Sequence, residues 1–379
     1  MQKEKYHIQT PAILLDLNIM ESNLSKFQQM ADVSIKQFWP MVKTHKSTEI
    51  ARMQHNYGAT GFLCGTLDEC EALALCGIKN IMYAYPVMNE PNISRAIALA
   101  KNCNFILRID HFKQAEVLNK AAKLADTCAN YVVIINSGLN RLGIEPCHVG
   151  DFVKALTHMK NIRFKGISTH PGHAYEGKEA VLKAAKDESD KMAQACTALH
   201  NIGFMPELVS TGSTPTFPHV IDDAVINMLH PGNYVFMDNL QISLGCAKES
   251  ECALSVFATV ISARKDENGN DIFIIDAGTK CFGDQGVHAA GAISEKYGRI
   301  KNYPGLELYN LSEEVGRIRA GGNNCIGIKL GDKIEIIPNH SCSVANMTGW
   351  YIGTRAERID SLISVDIRGN STKKLPHFR

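Results

Sequence analysis

Eight short apolar segments dominate the first two thirds of the chain, and each is followed by a polar turn. Several are continuous runs of apolar or β-branched residues, typical of parallel strands that are buried on both faces. Segments with helical spacing and a charged face lie between them, for example 46–57, 111–125 and 178–201. The predicted strands are 38–43, 60–64, 80–85, 104–109, 131–136, 164–169, 207–211 and 225–230. Eight such units predict an α/β fold of the TIM (β/α)8 barrel type.

The pattern changes after about residue 245. Strand-like segments are then separated by turn sequences such as DENGN and LGD, with few helical stretches. These segments are 255–263, 271–279, 317–321 and 332–342. The sequence therefore predicts two domains, a barrel over 18–245 and a mainly antiparallel β domain over 246–379.

Composition narrows the class of protein. A hydrophobic content of 45% and a charged content of 21% are ordinary for a globular protein, and a net charge of +1 gives no reason to expect binding to nucleic acid or to a membrane. The twelve cysteines are scattered without a CxxC pair, and the polar N-terminus MQKEKYHIQT lacks the apolar core of a signal peptide. We therefore expect a cytoplasmic protein with reduced cysteines.

Polar residues gather where the predicted barrel strands end, which is the catalytic face of such barrels. The first strand ends at Lys43, and Arg141 follows the fifth strand. His170 and Tyr175 follow the sixth strand in the segment THPGHAY. An enclosed lysine can act as a Schiff-base nucleophile, although a rim lysine can also simply extend along the barrel surface. Position favours Lys43 over Lys46, which we expect to face solvent or a phosphate at the start of the next helix.

Two glycine-containing turns follow the seventh and eighth strands. The segment STGSTP (210–215) offers hydroxyl groups and free backbone amides, and HPGNY (230–234) offers a second set. Barrels of this type often bind phosphate at these two loops. The alternative is a pair of ordinary turns in which Ser or Thr caps a helix. The chain contains neither a Walker A motif nor a GxGxxG fingerprint.

His340 and Cys342 form a further candidate pair at the end of the segment IEIIPNHSC. Residues i and i+2 of an extended segment point to the same face, so an imidazole and a thiolate could bind one metal ion there. Two ligands alone do not define a site, and a surface histidine beside a buried cysteine is the alternative.

Several motifs in the same order resemble the D-threonine aldolase and D-serine dehydratase family, whose members are pyridoxal-phosphate enzymes with the alanine racemase fold. The resemblance extends from Thr10 to about Trp350, and VKTHKS and PNHSC are its most specific parts. The other motifs are TPAILLDL, LNRLGI, THPGHAY, STGSTPTF, HPGNYVFMD and DAGTK. The family fold implies that the first strand, 11–17, joins the β domain.

The resemblance also implies roles for individual residues. Lys43 matches the lysine that binds the cofactor covalently and is catalytic, Arg141 matches the arginine near the pyridoxal phenolate, and His170 resembles the catalytic histidine packed against the ring. Tyr175 resembles a tyrosine that lines the pocket. The phosphate would be bound by Gly212, Ser213, Thr214, Gly232 and Asn233. His340 and Cys342 match a pair that binds a divalent cation, either zinc or manganese.

The implied activity is that of a lyase acting on a β-hydroxy D-amino acid. Loss of the hydroxyl would give a keto acid and ammonia, as in D-serine dehydratase. Cleavage of the Cα–Cβ bond would give glycine and an aldehyde, as in D-threonine aldolase. The cysteine at the second metal position resembles the dehydratase branch, whereas we associate an aspartate there with the aldolase branch. The family also implies a homodimer with active sites near the domain interface between subunits.

Three positions depart from the family pattern and affect the expected substrate pocket. Trp39-Pro40-Met41 stands where Arg-Pro-His is common, His230 where a glutamate is usual, and Val315 where a histidine is common. An amino-acid racemase is a rival function, because it shares the fold and the lysine but needs no metal. A non-catalytic pyridoxal-phosphate-binding protein is another, although such proteins are usually single barrels without a β domain.

Overall fold

The computed structural model of the chain describes residues 4–283, 296–320 and 327–369. Two sheets organise these residues, one with eight parallel strands and one with nine strands. All eight predicted barrel strands are present, so the predicted barrel fold is confirmed. The predicted helices at 46–57, 111–125 and 178–201 are confirmed as well, with bounds that differ by one or two residues.

The parallel sheet has the spatial order β2-β9-β8-β7-β6-β5-β4-β3. A single bridge between Met41 and Leu63 joins the two outer strands and closes the barrel. The strands are β2 (Gln37–Phe38), β3 (Phe62–Cys64), β4 (Asn80–Tyr83), β5 (Asn104–Ile109), β6 (Ala129–Ile134), β7 (Ile162–Ser168), β8 (Leu208–Thr211) and β9 (Met228–Leu229). Met82, Ile106, Val132 and Met228 fill the barrel interior.

Helices on the outside of the barrel cover the apolar outer faces of its strands. The helices of this part of the chain are α1 (Leu17–Val33), α2 (Thr48–Tyr57), α3 (Leu67–Leu75), α4 (Glu90–Asn102), α5 (Phe112–Leu124), α6 (Val149–Leu156), α7 (Lys178–His200), α8 (Phe217–Val220) and α9 (Asn239–Ser243). Several begin at a polar residue whose side chain accepts a hydrogen bond from an amide of the first turn, which fixes where the helix starts. Asp16, Ser47, Thr66 and Asn89 do this for α1 to α4.

The first barrel strand is shorter than the sequence predicts. It ends at Phe38, and Lys43 lies in a 3-10 turn formed by Val42–Thr44. The prediction that the strand extends to Lys43 is therefore wrong. Pro40 lacks an amide hydrogen and disfavours a helical conformation in Trp39, so the segment stays extended, but the strand ladder ends before it.

The second sheet lies beside the barrel mouth and is mainly antiparallel, as predicted. Its strands are β1 (Ala12–Asp16), β10 (Leu254–Lys265), β11 (Asp271–Ile275), β12 (Gly298–Ile300), β13 (Leu306–Leu311), β14 (Gly316–Ala320), β15 (Lys333–Pro338), β16 (Trp350–Arg355) and β17 (Arg358–Ser364). The strand β1 pairs antiparallel with β10 and parallel with β16, so it lies in the middle of this sheet. Two short helices, α10 (Thr279–Phe282) and α11 (Ser341–Met347), flank it.

The segment around PNHSC is not extended throughout, in contrast to the prediction. Strand β15 ends at Pro338, His340 is the N-cap of α11, and Cys342 lies in the first turn of that helix. The i, i+2 argument for a shared face of a strand therefore fails. Proline at the strand end stops the ladder, and the short polar residues that follow start a helix instead.

We propose a domain boundary near residue 245, in the segment between α9 and β10. None of the helices in the described part of the chain is long and apolar enough to cross a membrane.

Candidate active site

A cavity of about 290 Å³ lies where the C-terminal ends of the barrel strands face α11 of the second sheet. All residues that the sequence singled out for the site line this one cavity. They are Lys43, Arg141, His170, Tyr175, Gly212, Ser213, Thr214, Gly232, Asn233, His340 and Cys342. Segments separated by up to 299 positions in the sequence, from Lys43 to Cys342, therefore meet at the barrel mouth.

Lys43 reaches the cavity from the turn after β2. Gly65, after β3, packs against its aliphatic stem, and a Cβ atom at that position would lie 3.2 Å from the Lys43 Cβ. Within the described residues, the Lys43 ammonium group has neither a hydrogen bond nor an ion pair. A lysine amine without a carboxylate partner in a cavity is available to react with a ligand.

Lys46 is not exposed, and the prediction that it faces solvent or a phosphate is wrong. Its ammonium group lies 2.5 Å from Glu69 Oε1, and the two side chains are 4% and 0% exposed. The other oxygen of Glu69 accepts a hydrogen bond of 2.6 Å from the amide of Gly65. This buried pair therefore fixes the loop that packs against Lys43.

His45, between the two lysines, has a structural environment. It is fully buried, its Nδ1 accepts from the amide of Ser47, and its Nε2 lies 3.1 Å from Gln54 Oε1. Burial lowers its pKa to about 4, so the ring is neutral near pH 7. The imidazole thus attaches the turn that follows β2 to helix α2, and it does not line the cavity.

The two glycine-containing loops lie next to each other because β8 and β9 are neighbours in the barrel. Gly212 has a φ of +152°, and a Cβ atom there would lie 2.9 Å from the backbone nitrogen of His230. A Cβ atom at Gly232 would lie 2.8 Å from Thr44 Oγ1. The amide of Tyr234 donates to Thr214 Oγ1 at 3.0 Å and joins the two loops. Glycine is required at both positions, and the loops expose backbone to the cavity.

Asn233, which we predict to bind the phosphate, also has a structural role in this region. Its side-chain amide donates to Asp238 at 2.7 Å and to Ser341 at 2.9 Å. The side chain therefore links the barrel loop to α11, and only its backbone amide is left to face an anion.

His170 lies on the cavity wall as a neutral imidazole. Its Nδ1 donates to the carbonyl oxygen of Gly212 at 3.0 Å. Burial, together with the nearby positive charge of Lys43, lowers the pKa of His170 to about 3. Burial also raises the pKa of the Tyr175 hydroxyl, so that this side chain is neutral. The guanidinium of Arg141 lies over the ring of Tyr85 at 5.9 Å from its centroid.

His340 and Cys342 lie together despite the wrong strand prediction, because both are at the start of α11. Asp238, fully buried, accepts from His340 Nδ1 at 3.0 Å, which leaves Nε2 free for a ligand. Burial opposes charge on both groups, but each stabilises the charge of the other. The pKa of His340 is therefore raised, and that of the Cys342 thiol is lowered. The Cys342 sulfur also lies 3.5 Å from Thr44 Oγ1, beside Lys43.

No group of three or more His, Cys, Asp or Glu residues suited to a metal ion exists in residues 4–283, 296–320 and 327–369. A metal at His340 and Cys342 would therefore have two ligands from the described chain and open positions for water or substrate. This donor set, one imidazole nitrogen and one acidified thiol, suits zinc and other borderline divalent cations.

Arg108 and His230 are cavity residues whose importance the sequence analysis missed or only touched on. Arg108 points into the barrel from β5, one inward position above Ile106, and is 4% exposed. It has no hydrogen bond or ion pair in the part of the chain that the structure describes, and its Nε atom is buried. His230 Nε2 is likewise buried without a partner. A single arginine within the apolar segment NFILRI was the sequence signal that could have identified Arg108.

The charged side chains that the structure describes in this part of the cavity are all positive. Burial lowers the pKa of Arg108 to about 10, so the guanidinium is still positively charged near pH 7. Burial, the charge of Arg108 and the proximity of His170 hold the pKa of His230 well below its usual value. Lys43, Arg108 and Arg141 are cavity cations, and no carboxylate of the described residues lines the cavity. The cavity is therefore suited to an anionic ligand.

The departures from the family pattern fall in different places. Met41 and His230 line the cavity. Trp39 does not, because its ring fills the barrel interior and its Nε1 donates to Thr60 Oγ1 at 3.1 Å. Val315, just before β14, is not among the lining residues either. Only two of the departures can therefore contact a ligand directly.

Comparison with known proteins gives a consistent assignment. Residues 15–240 match the model of the alanine racemase N-terminal domain, and residues 253–354 match that of a putative serine dehydratase domain. The 3-hydroxy-D-aspartate aldolase of Paracoccus denitrificans is 28% identical over 97% of this chain and 94% of its own length. The D-threo-3-hydroxyaspartate dehydratase of Delftia sp. is 29% identical over 94% and 97%.

Solved structures agree with this assignment. The crystal structure of D-threonine aldolase from Filomicrobium marinum superposes with a TM-score of 0.85 at 27% identity, over 97% of this chain and 98% of the other. Because the match covers 97% of this chain, it includes both the barrel and the second sheet. The chain therefore belongs to the D-threonine aldolase and D-serine dehydratase family, with the alanine racemase fold that its motifs predicted.

Proposed function

We propose that the protein is a pyridoxal-phosphate- and metal-dependent lyase that removes water from a β-hydroxy D-amino acid, as D-serine dehydratases do. The observation that carries this proposal is the convergence of Lys43, the two glycine loops and the pair His340–Cys342 on one cavity. A lysine and an anion cradle alone would fit many cofactor proteins. The imidazole–thiol pair adds the means to bind a cation beside the reacting groups.

The cavity fits the cofactor by its own features. A Cβ atom would collide with the His230 backbone at Gly212 and with Thr44 at Gly232, so glycine at these positions lets the two loops pack together at the cavity wall. Glycine-containing loops of this kind can present backbone amides to a phosphate. Lys43 has a free amine to hold the aldehyde carbon, and Arg141 offers a guanidinium to the phenolate. When bound, pyridoxal phosphate supplies an electron sink for a bond that breaks at the substrate Cα.

Lys43 is the group that we assign to move the Cα proton. Its Nζ has no partner among the described residues, and the lowered pKa of His170 makes that imidazole too weak a base to compete for the proton. His170 is fixed by its hydrogen bond to Gly212, so the flat imidazole face can pack against a planar ring. Its assigned task is therefore to position the ring, while Lys43 carries the proton.

His340 and Cys342 are the residues that would hold a divalent cation. Such a cation, zinc or manganese, supplies Lewis acidity towards the β-hydroxyl of the substrate. Asp238 fixes the imidazole tautomer, and Thr44 holds the sulfur next to the turn that carries Lys43. In this proposal, the proton acceptor and the cation that polarises the β-hydroxyl act from neighbouring parts of one cavity.

The second candidate reaction, retro-aldol cleavage to glycine and an aldehyde, uses the same residues. Aldolases and dehydratases are among the relatives at nearly equal identity. Cysteine at position 342 is the feature that favours dehydration, because the family pattern associates it with that branch. An amino-acid racemase is a third alternative. A racemase would need no metal, so this function would leave His340 and Cys342 without a role.

Product analysis decides among these reactions. The full-length protein, loaded with pyridoxal phosphate and zinc, is incubated separately with D-serine, D-threonine and 3-hydroxy-D-aspartate. A keto acid with ammonia supports the proposal, glycine with an aldehyde supports the aldolase alternative, and an inverted amino acid supports the racemase. No product from any of the three, with bound cofactor present, would refute a function in D-amino acid metabolism.

We further propose that the protein is a homodimer, as the family resemblance implied. Gel filtration with light scattering at micromolar concentration tests this, and a single monomeric species would contradict it.

A further inference from the structure

The turn that carries Lys43 ends in a residue with an unfavourable backbone conformation. The carbonyl oxygen of Val42 accepts hydrogen bonds from the amides of His45 and Lys46, at 3.1 and 3.0 Å. Lys43 lies inside the turn that these two bonds close. Lys46 has a φ of +55°, in the left-handed region that disfavours residues other than glycine. Such a conformation persists only where surrounding contacts hold it, so the hold on this turn has to come from outside.

Tyr351, in β16 of the second sheet, makes one of these outside contacts. Its hydroxyl group donates a hydrogen bond of 2.7 Å to the carbonyl oxygen of His45, and both residues are fully buried. The Tyr351 ring packs edge-on against Phe236, with 5.4 Å between the ring centroids. This packing fixes the direction in which the hydroxyl group points, towards the turn and not into the cavity.

A short segment after β17, residues 365–369, makes further contacts, and we call it the strap. The amide of Ile367 donates to the carbonyl oxygen of Lys46 at 3.1 Å. The carbonyl oxygen of Gly369 accepts a hydrogen bond of 3.2 Å from the Lys46 ammonium group. Val365 and Ile367 are both buried, so apolar contacts anchor the strap while its backbone holds Lys46.

Asp366, also in the strap, holds the start of α2. Its Oδ1 accepts from the amide of Thr48 at 2.9 Å, and its Oδ2 accepts from the Thr48 hydroxyl at 2.5 Å. Thr48 is the first residue of α2, so its amide has no partner within the helix. A carboxylate at this end of a helix is also favoured by the helix dipole. The strap therefore holds the chain on both sides of Ser47.

From these contacts we infer that Tyr351 and Asp366 are positioning residues for Lys43. Neither lines the cavity, so each acts through the turn that carries the lysine. This inference rests on the proposed pyridoxal-phosphate function. In the reaction that they assist, the Lys43 nitrogen forms a double bond to the aldehyde carbon, and the aldehyde oxygen leaves as water. The reactivity of a barrel lysine thus depends on the second sheet and the strap.

Hydrogen exchange of the cofactor-free full-length protein tests the hold on the turn without any ligand. Tyr351→Phe removes the hydroxyl group but keeps the ring against Phe236, and Asp366→Ala removes the carboxylate. In either variant the amides of residues 43–48 should exchange about tenfold faster, as expected for the loss of a hydrogen bond. Tyr131→Phe, at a buried position in β6, is the matched control and should exchange as the wild type does. Wild-type exchange in a variant would refute the positioning role of that residue.

Two ligands then show whether the turn sets the reactivity of Lys43. Pyridoxal phosphate can bond to the amine, whereas deoxypyridoxine phosphate has the same ring and phosphate but a methyl group in place of the aldehyde. Tyr351→Phe should slow formation of the covalent bond, followed by absorbance, by about tenfold or more, because the amine is less well oriented. Its affinity for deoxypyridoxine phosphate should stay at the wild-type value. Equal losses for both ligands, or no loss for either, would overturn the inference.

A conservative variant separates the hydrogen bond of Asp366 from general damage to the strap. Asp366→Asn keeps an oxygen that can accept from the Thr48 amide, so it should recover much of what Asp366→Ala loses in both measurements. If the asparagine variant behaves like the alanine variant, the bond to Thr48 does not position the turn. A wild-type protein that binds neither ligand would contradict the proposed function, whereas hydrogen exchange would still decide whether Tyr351 and Asp366 hold the turn.

Discussion

Asp238 Oδ2 and His340 Nδ1 are joined by a hydrogen bond of 3.0 Å across the boundary between barrel and second sheet. The same oxygen accepts from the amide of Ser341 and from the side chain of Asn233. One buried carboxylate therefore orients the imidazole, holds the first turn of α11 and ties both to the loop after β9. The cation site that we propose depends on a residue that does not itself face the cavity.

Asp238→Asn should weaken binding of a divalent cation. An amide can still accept one hydrogen bond, but it no longer carries the charge that increases the basicity of His340, and an effect of about 10–100-fold is typical. Isothermal titration with zinc, and metal analysis after dialysis, measure the change. Asp266→Asn, in the exposed turn between β10 and β11, is the control. Equal zinc affinity in both variants would show that Asp238 has no such role.

Lys43→Ala should abolish covalent attachment of pyridoxal phosphate, since Lys43 is the only lysine that lines the cavity in the part of the chain that the structure describes. Borohydride reduction followed by peptide mass analysis should find the label on Lys43 in the wild type and nowhere in the variant. Lys113→Ala, on the exposed face of α5, is the control and should keep the label. A label on another lysine in the wild type would show that the assignment of Lys43 is wrong.

Lys46→Met should destabilise the protein by about 3–5 kcal/mol, because it leaves the buried Glu69 carboxylate without its partner. Urea unfolding measures the change in the free energy of unfolding, with Lys113→Met as the control. The double variant Lys46→Met, Glu69→Met should recover much of the loss, since both charges are then absent. A loss in Lys46→Met no greater than in the control would contradict this account.

Arg108→Met should affect stability and ligand binding in opposite directions. Removing a buried, unpaired guanidinium should raise the free energy of unfolding of the cofactor-free protein by more than ~1 kcal/mol. The same change should reduce the thermal stabilisation that pyridoxal phosphate gives, because the cavity loses a cation. Thermal unfolding with and without the cofactor measures both effects, and the exposed Arg163→Met is the control. If Arg108→Met instead lowers the free energy of unfolding of the cofactor-free protein, the Arg108 guanidinium must have a stabilising partner in the fold.

The contribution of Glu188, a buried residue of α7, to the stability of the cofactor-free protein should fall as the pH rises from about 5 to 8. Glu188 keeps its proton in the folded state up to about pH 8 but loses it near 4.5 when unfolded. In this range the folded state binds more protons, and its contribution to the free energy of unfolding falls by up to about 1.4 kcal/mol per pH unit. The Glu188→Gln variant lacks this titration, so it should gain on the wild type as the pH rises. If the free energies of unfolding of the wild type and of Glu188→Gln change in parallel with pH, Glu188 does not retain a proton in the folded state.

Periodicity was sufficient to predict the barrel, because continuous apolar strands alternate with amphipathic helices along residues 37–243. It was not sufficient at the site, where local backbone departs from the regular pattern. Lys43 was placed at a strand end and lies in a 3-10 turn, and His340 and Cys342 were placed on a strand and lie at a helix start. The three residues nevertheless line one cavity. They were selected from the motifs that contain them, so errors in the assumed backbone geometry did not change the selection.

Pairing of charges was the least predictable property. Lys43 and Lys46 differ by three positions and have similar local sequence, yet one is free in a cavity and the other is bonded to Glu69. Glu69 belongs to α3, and nothing in the local sequence of Lys46 indicates that this helix will lie beside it. Arg108 is the converse case, since a charged residue in an apolar strand indicated a special environment but not which cavity it faces.

The placement of β1 in the middle of the second sheet has a consequence for biosynthesis. Its partners β10 and β16 begin about 240 and 340 residues later in the chain. During translation the first strand to leave the ribosome must therefore wait, unpaired, until nearly all of the polypeptide has been made. The barrel between them can assemble from neighbouring segments meanwhile. Because α11 and β16 are synthesised after the whole barrel, the second sheet can be completed, and α11 can cover the cavity, only after the barrel has been made.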